Sequence, residues 1–136
     1  MALLMSANSV DAAPEVLEGH EEYVYMLSFS RDGRLLVTAS GDNTAIVWDV
    51  AQRKSVHVLD HDAVAFSGDG QTLAAVGDDH RLRCWNVEEF RLESDREMTS
   101  RALYAVAFAP GQPHILVAGE GGIVYLIAKV DAASQP

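Results

Sequence analysis

The chain has 136 residues, 49% of them apolar, and a formal net charge of −10. That length holds one domain with one core, and the apolar content excludes a disordered chain. The acidic balance excludes nucleic acid as a principal partner, because phosphate binding requires clustered Lys and Arg, and the apolar runs are too short for a membrane-spanning helix.

Taken in chain order, strands are predicted near 23–29, 34–40, 44–50 and 54–59, then 62–66, 72–76, 81–87 and 90–94, then 102–108, 114–118 and 123–129. These three sets are three copies of one unit. "YMLSFSRDGRLLVTAS" (25–40) aligns with "DAVAFSGDGQTLAAVGDD" (62–79) and "YAVAFAPGQPHILVAGE" (104–120). Phe29, Phe66 and Phe108 are equivalent, as are Trp48, Trp85 and Ile127. The pairs Asp32-Gly33 and Asp69-Gly70, and more loosely Pro110-Gly111, mark hairpin turns, because glycine accepts the positive φ such turns require. "NVEEFRLESDREM" (86–98) has helix-forming composition but reads as a strand followed by a charged loop.

"TAIVW" and "HILVA" are apolar on both faces, where an antiparallel sheet with one wet face would alternate. Each sheet is therefore expected to lie between neighbours of its own kind, as a propeller blade does. The blades are placed at about 14–60, 61–95 and 96–130, with flexible segments at 1–13 and 131–136. The start, "MALLMSANSVDAAPE", has no basic residue ahead of its apolar patch and does not read as a secretory signal. The single cysteine, Cys84, rules out an intramolecular disulfide and suits a reducing, cytoplasmic setting. Beside Trp85 it reads as a buried filler.

Gly19-His20, the Phe29-Ser30-Arg31-Asp32-Gly33 turn and Trp48-Asp49 together resemble the WD-repeat family of β-propellers, over roughly residues 15–130. The second copy keeps Trp85 but follows it with Asn86, and the third has Ile127-Ala128 and is degenerate. The resemblance implies an all-β fold of three four-stranded antiparallel blades, an incomplete ring unless oligomerised. It also implies a structural network in which a buried Trp bonds a strand hydroxyl, a loop His bonds that hydroxyl and a turn Asp holds the His. Carried over, these are Trp48, Thr38 or Ser40, His20 and Asp42. Thr38 and Ser40 share a face, and the sequence does not choose between them. Asp49 is expected to bond nearby backbone at the strand end. In the second copy Trp85 and Asp79 remain, the hydroxyl positions hold Ala75 and Gly77, and His61 is expected to reach Asp79.

His20 with Asp42 has the look of part of a catalytic triad, but no activated nucleophile accompanies it, so no catalytic residue is assigned. His57, Asp60, His61, Asp62, Asp78, Asp79 and His80 crowd two loops, and zinc tolerates such ligands. Acids and histidines are also ordinary turn residues, and the expectation is no metal and no cofactor.

Three blades are fewer than the usual ring of about four to eight. The third copy is short of an outermost strand after Val130, while "PEVLEGH" (14–20) resembles the tail of one. A head-to-tail homo-oligomer, two copies making six blades, is the expected closure; the alternatives are completion by another chain and a shortened relative of a longer protein. The function expected from the resemblance is a non-catalytic protein–protein interaction scaffold. Its alternatives are a structural subunit of a larger complex and, less favoured, a metal-dependent hydrolase using the His/Asp loops. Tyr23, Tyr25, Tyr104 and Arg101 are the candidate protein-binding residues at the loop end, although the tyrosines could instead pack between blades. Glu21, Glu22, Asp62, Asp78 and Asp79 at the same end point to a partner with a basic surface.

Overall fold

A computed structural model describes residues 13–128. The terminal stretches read as flexible fall outside these residues, apart from Ala13, as do the last positions of the third blade. The described chain is all strand and turn. The first sheet runs β1 (Val24–Phe29), β2 (Leu35–Ser40), β3 (Ala45–Asp49) and β4 (Lys54–Leu59). The second runs β5 (Ala63–Phe66), β6 (Thr72–Val76), β7 (Arg81–Asn86) and β8 (Arg91–Glu97). The third holds β9 (Leu103–Phe108), β10 (His114–Gly119) and β11 (Val124–Ala128). Every pairing is antiparallel between consecutive strands, so each sheet is a meander. Among the described residues the third sheet has three strands, with β11 at its edge. Residues 14–20 belong to no strand, although their sequence resembles a strand tail.

Registers repeat between copies. Leu36 pairs with Trp48 and Leu73 with Trp85, while Leu116 pairs with Leu126 as Ala74 does with Cys84. The turns repeat too. Gly33 and Gly70 both stand at φ 73°, and the β2–β3 and β6–β7 turns place Asn43 and His80 at φ 66° and 68°. A short polar side chain tolerates that left-handed geometry, and Gly122 takes the equivalent place at 73°.

The three sheets stack face to face, with the second in the middle. Val37, Ala39, Ala45 and Val47 of the first sheet meet Val64, Leu73 and Ala75 of the second. From the opposite face of the second sheet Ala74, Val76, Leu82 and Cys84 meet Leu103, Ile115 and Val117 of the third. Burying an aliphatic side chain of this kind is worth roughly 1.5–3 kcal/mol, so these two dry layers hold the blades together. Apolarity on both faces of β6, which is buried along its whole length, is explained by this position.

One expectation is corrected. The charged run after residue 94 is not a loop: β8 continues to Glu97, with Asp95 paired to Arg83 and Glu97 to Arg81. Opposite charges across the strands make that polar edge a favourable strand rather than a coil.

Candidate functional site

The loop end of the first blade is organised by one buried relay. Trp48 in β3 is nearly enclosed, and its indole N–H donates to Thr38 Oγ1 of β2 at 2.9 Å. His20 Nε2 lies 2.7 Å from the same hydroxyl, and His20 Nδ1 lies 3.0 Å from Asp42 Oδ2. With Trp48 as pure donor and Asp42 as acceptor, the order assigns the ring proton facing Asp42 to Nδ1 and leaves Nε2 to accept from Thr38. The Thr44 hydroxyl (2.6 Å), the Thr44 N–H (2.9 Å) and the Glu21 N–H (3.0 Å) also donate to Asp42. Burial pushes the Asp42 carboxyl up, but these bonds and His20 outweigh it and hold the group well below the usual carboxylate range.

The choice between the two hydroxyls is decided by the structure. Thr38 takes the indole, while Ser40 Oγ donates to Glu22 O at 3.2 Å and accepts the Asp42 N–H at 3.1 Å. Gly19 has its own reason: a Cβ there would stand 3.0 Å from Trp48 Cη2 and 3.2 Å from Ile46 Cδ1, so the backbone lies directly on the indole. Asp49 accepts the Gln52 N–H at 2.9 Å, and Asn86 accepts that of Glu89 at the same distance. The residue after the tryptophan thus closes the next turn, and either acid or amide serves.

The second blade is built differently. Arg83 stands where the first blade has Ile46, and its Nη1 donates to His61 Nε2 at 2.8 Å. The same guanidinium is bonded to Asp79, and its Nε lies 3.4 Å from Asp95 Oδ2. His61 therefore meets Asp79 through an arginine rather than directly. Among the described residues, Nδ1 of the buried His61 has no hydrogen-bond partner. Burial first, then the Arg83 charge, pushes the His61 pKa down from its ordinary value. Its ring still meets Trp85 edge-on, at 5.4 Å between centroids, much as His20 meets Trp48 at 6.4 Å. Arg83, Asp95 and Thr44 are the members that sequence reasoning missed. The available signal was a cation in "RLRCW", at a position that is apolar in the first copy.

At the same end lie the tyrosines. Tyr23 and Tyr25 are exposed and tilt against each other at 6.1 Å, and Tyr104 is exposed at the equivalent place in the third blade. The Tyr25 hydroxyl donates to Asp62 O, the equivalent position of the second blade. Tyr25 is thus partly exposed and also ties two blades. Arg101 is exposed, with its guanidinium over Gly121. Burial, then the neighbouring Asp78, raises the Asp62 carboxyl. His57 is elsewhere, stacked on Phe90 at 3.6 Å, beside a cleft of about 550 Å³ at the opposite end of the first two blades. Among the described residues no three His, Cys, Asp or Glu side chains are grouped to hold a metal ion.

The family model "WD domain, G-beta repeat" matches residues 14–49 and 53–86, just over half of the chain. Among relatives, a subunit of chromatin assembly factor 1 from Mus musculus is 32% identical over 83 residues, 57% of this chain and 14% of that protein. Periodic tryptophan protein 2 homolog of Schizosaccharomyces pombe is 36% identical over 83 residues, 55% of this chain and 9% of that protein. The chain therefore spans a small part of these relatives' length. Among solved structures, "Structure of U3-55K" matches with a TM-score of 0.67 and 21% identity, covering 76% of this chain and 35% of that one. The repeat match, the all-β blades and this likeness agree, and the chain belongs to the WD-repeat family.

Proposed function

We propose that the chain is a non-catalytic protein-interaction scaffold that presents the loop end of its blades to a partner with a basic surface. The observation that carries this is the exposed group Tyr23, Tyr25 and Tyr104, held on sheet ends beside Glu21, Glu22 and Asp78. Rigid aromatics next to acids suit a cationic surface, since ring faces and carboxylates both attract Lys and Arg. Arg101 at the same rim adds a contact for an acidic group on that partner. The His20–Asp42 pair favours a structural role over a hydrolytic one. Among the described residues the hydroxyl at Nε2 is that of Thr38, buried and already accepting from Trp48, so it is no nucleophile. A reducing, cytoplasmic setting is proposed from the lone, buried Cys84.

The test is a binding titration of a Lys/Arg-rich peptide and its Glu-substituted counterpart, at low and high salt. The intact chain should bind only the basic peptide, and more weakly as salt rises. Tyr23→Ala with Tyr104→Ala should weaken it about 10-fold or more, the loss of roughly 1.4 kcal/mol. Equal binding by the substituted and intact chains overturns the assignment of the tyrosines.

A second reading, a structural subunit of an assembly, is favoured by two broad apolar faces that the described residues leave open. Assembly with copies of itself, or with another chain, belongs to this reading. The chromatin assembly factor 1 relative is, by its name, one part of a larger factor, which fits a chain that works in company.

A further inference from the structure

His20 and His61 hold corresponding places against Trp48 and Trp85, yet their ring nitrogens are used differently. In the first blade Nε2 meets the Thr38 hydroxyl and Nδ1 faces Asp42. In the second blade Ala75 stands where Thr38 does, so the ring has no hydroxyl at that position. Arg83 takes the role instead. A single nitrogen of its guanidinium, Nη1, bonds both His61 Nε2, at 2.8 Å, and Asp79 Oδ2. A guanidinium only donates, so Nε2 accepts, and the ring proton of neutral His61 is on Nδ1. That N–H has no acceptor among the described residues, because Asp79, which corresponds to Asp42, is already held by Arg83. The whole arrangement depends on an unprotonated Nε2.

We propose that His61, Arg83 and Asp79 form a proton-operated switch inside the second blade. When His61 takes up a second proton from solvent, its new Nε2–H faces the Nη1 donor, and two cations meet where the bond needs an acceptor. The guanidinium is then expelled, and Nε2–H donates to Asp79 Oδ2, the other partner of that same Nη1. Arg83 has a place to go: its Nε already lies 3.4 Å from Asp95 Oδ2, and its side chain is 22% exposed. The direct His61–Asp79 pair expected from the sequence is thus the acid form, and the arginine-bridged arrangement the neutral one. The charged groups around His61 set the pH of the exchange. Arg83 of β7 opposes the second proton, as burial does, while Asp79 of the β6–β7 turn, Asp60 of the loop before it and Asp95 of β8 favour it. Asp62, the next residue, is engaged by the Asp78 N–H at 3.2 Å, and from the first blade the Tyr25 hydroxyl bonds its carbonyl. Asp79 also accepts the Arg81 N–H at 3.2 Å, so its movement pulls on the turn that holds His80 at φ 68°. The loop end of the second blade is thereby coupled to pH.

Long-range proton–nitrogen NMR correlation of the intact chain reads the ring nitrogens directly, with His61→Gln used to assign the His61 signals. Near neutral pH the proton should be on Nδ1. On acidification the backbone amides of residues 77–80 and of Arg83 should move with the same midpoint as Nε2. In His61→Gln, whose amide oxygen still accepts from Arg83 but takes no proton, those amides should stay still over that range. Arg83→Met removes the bridge, and His61 should then titrate about one pH unit or more higher, paired with Asp79 already at neutral pH. An Nε2–H tautomer at neutral pH, turn amides that ignore the His61 midpoint, or a midpoint unchanged in Arg83→Met each overturns the switch. The tautomer and the shared midpoint are read on the unaltered chain, so a variant that fails to fold leaves the test in place. None of these results touches the scaffold reading, which is tested by peptide titration and stands or falls with the tyrosine rim.

Discussion

Thr38 is the residue on which the first blade's polar interior depends. Its hydroxyl serves Trp48 and His20 at once, so Thr38→Val leaves two buried groups without a partner. That should cost about 2–3 kcal/mol in a denaturant titration, while Thr38→Ser, which keeps the hydroxyl, should cost under about 1 kcal/mol. Acidification acts through other residues. Burial depresses His57, and burial with the Arg83 charge depresses His61, while Asp79, Asp60 and Asp95 pull His61 the other way and are outweighed. The unfolded chain therefore binds these protons first. The stability they leave intact is whole above about pH 6.5 and is lost as pH falls through the depressed folded values. Asp42, depressed by its donors, adds a second loss that begins as pH falls through the ordinary carboxylate range and continues below it. The urea midpoint should fall between pH 7 and pH 5, and His57→Asn with His61→Asn should flatten that fall; an undiminished slope in the double variant would refute the assignment. The resemblance to the WD-repeat family implied a relay of His20, Asp42, Trp48 and either Thr38 or Ser40, and left the choice between the two hydroxyls open. The Arg83 substitution was not legible, since a cation in strand β7 finds its use only when β8 brings Asp95 opposite.

At the scale of the element, turn chemistry repeats more faithfully than the named motifs. Asn43, His80 and Gly122 occupy one left-handed position in three blades, although the residues share little else. Asn43→Val should destabilise by about 1–2 kcal/mol, while Asn43→Gly should be nearly neutral, measured by denaturant titration. Arg53 and Phe90 form a second such pair, at φ 55° and 51°, in the turns that precede β4 and β8. Phe90 is a poor residue for that geometry by itself. Its ring, however, stacks on His57 of the neighbouring blade at 3.6 Å and lies 6.2 Å from Trp85, so packing holds the backbone there. Strand existence was legible because Asp-Gly turns and the Phe and Trp anchors recur from the first copy to the second. The extension of β8 through a charged run was hidden, because only its cross-strand partners turn such residues into a strand.

For the whole molecule, the order of the blades sets a gradient of stability. Among the described residues the second blade is covered on both faces, whereas the first and third each have one face that no described blade covers. In repeat architectures stability comes from neighbour contacts, so hydrogen exchange should be slowest in β6 (Thr72–Val76) and faster in β1 and β11. Uniform protection across the three sheets would contradict this. By itself the amino-acid order determined that there are three blades, how their strands run and which family they belong to, because these follow from short-range pattern and repetition. Only the tertiary structure decided which hydroxyl serves the indole, that an arginine stands between His61 and Asp79, and which face of each end blade lies open. Those are questions of which side chains meet across strands and between sheets, and a linear pattern does not contain distances between elements that are far apart along the chain.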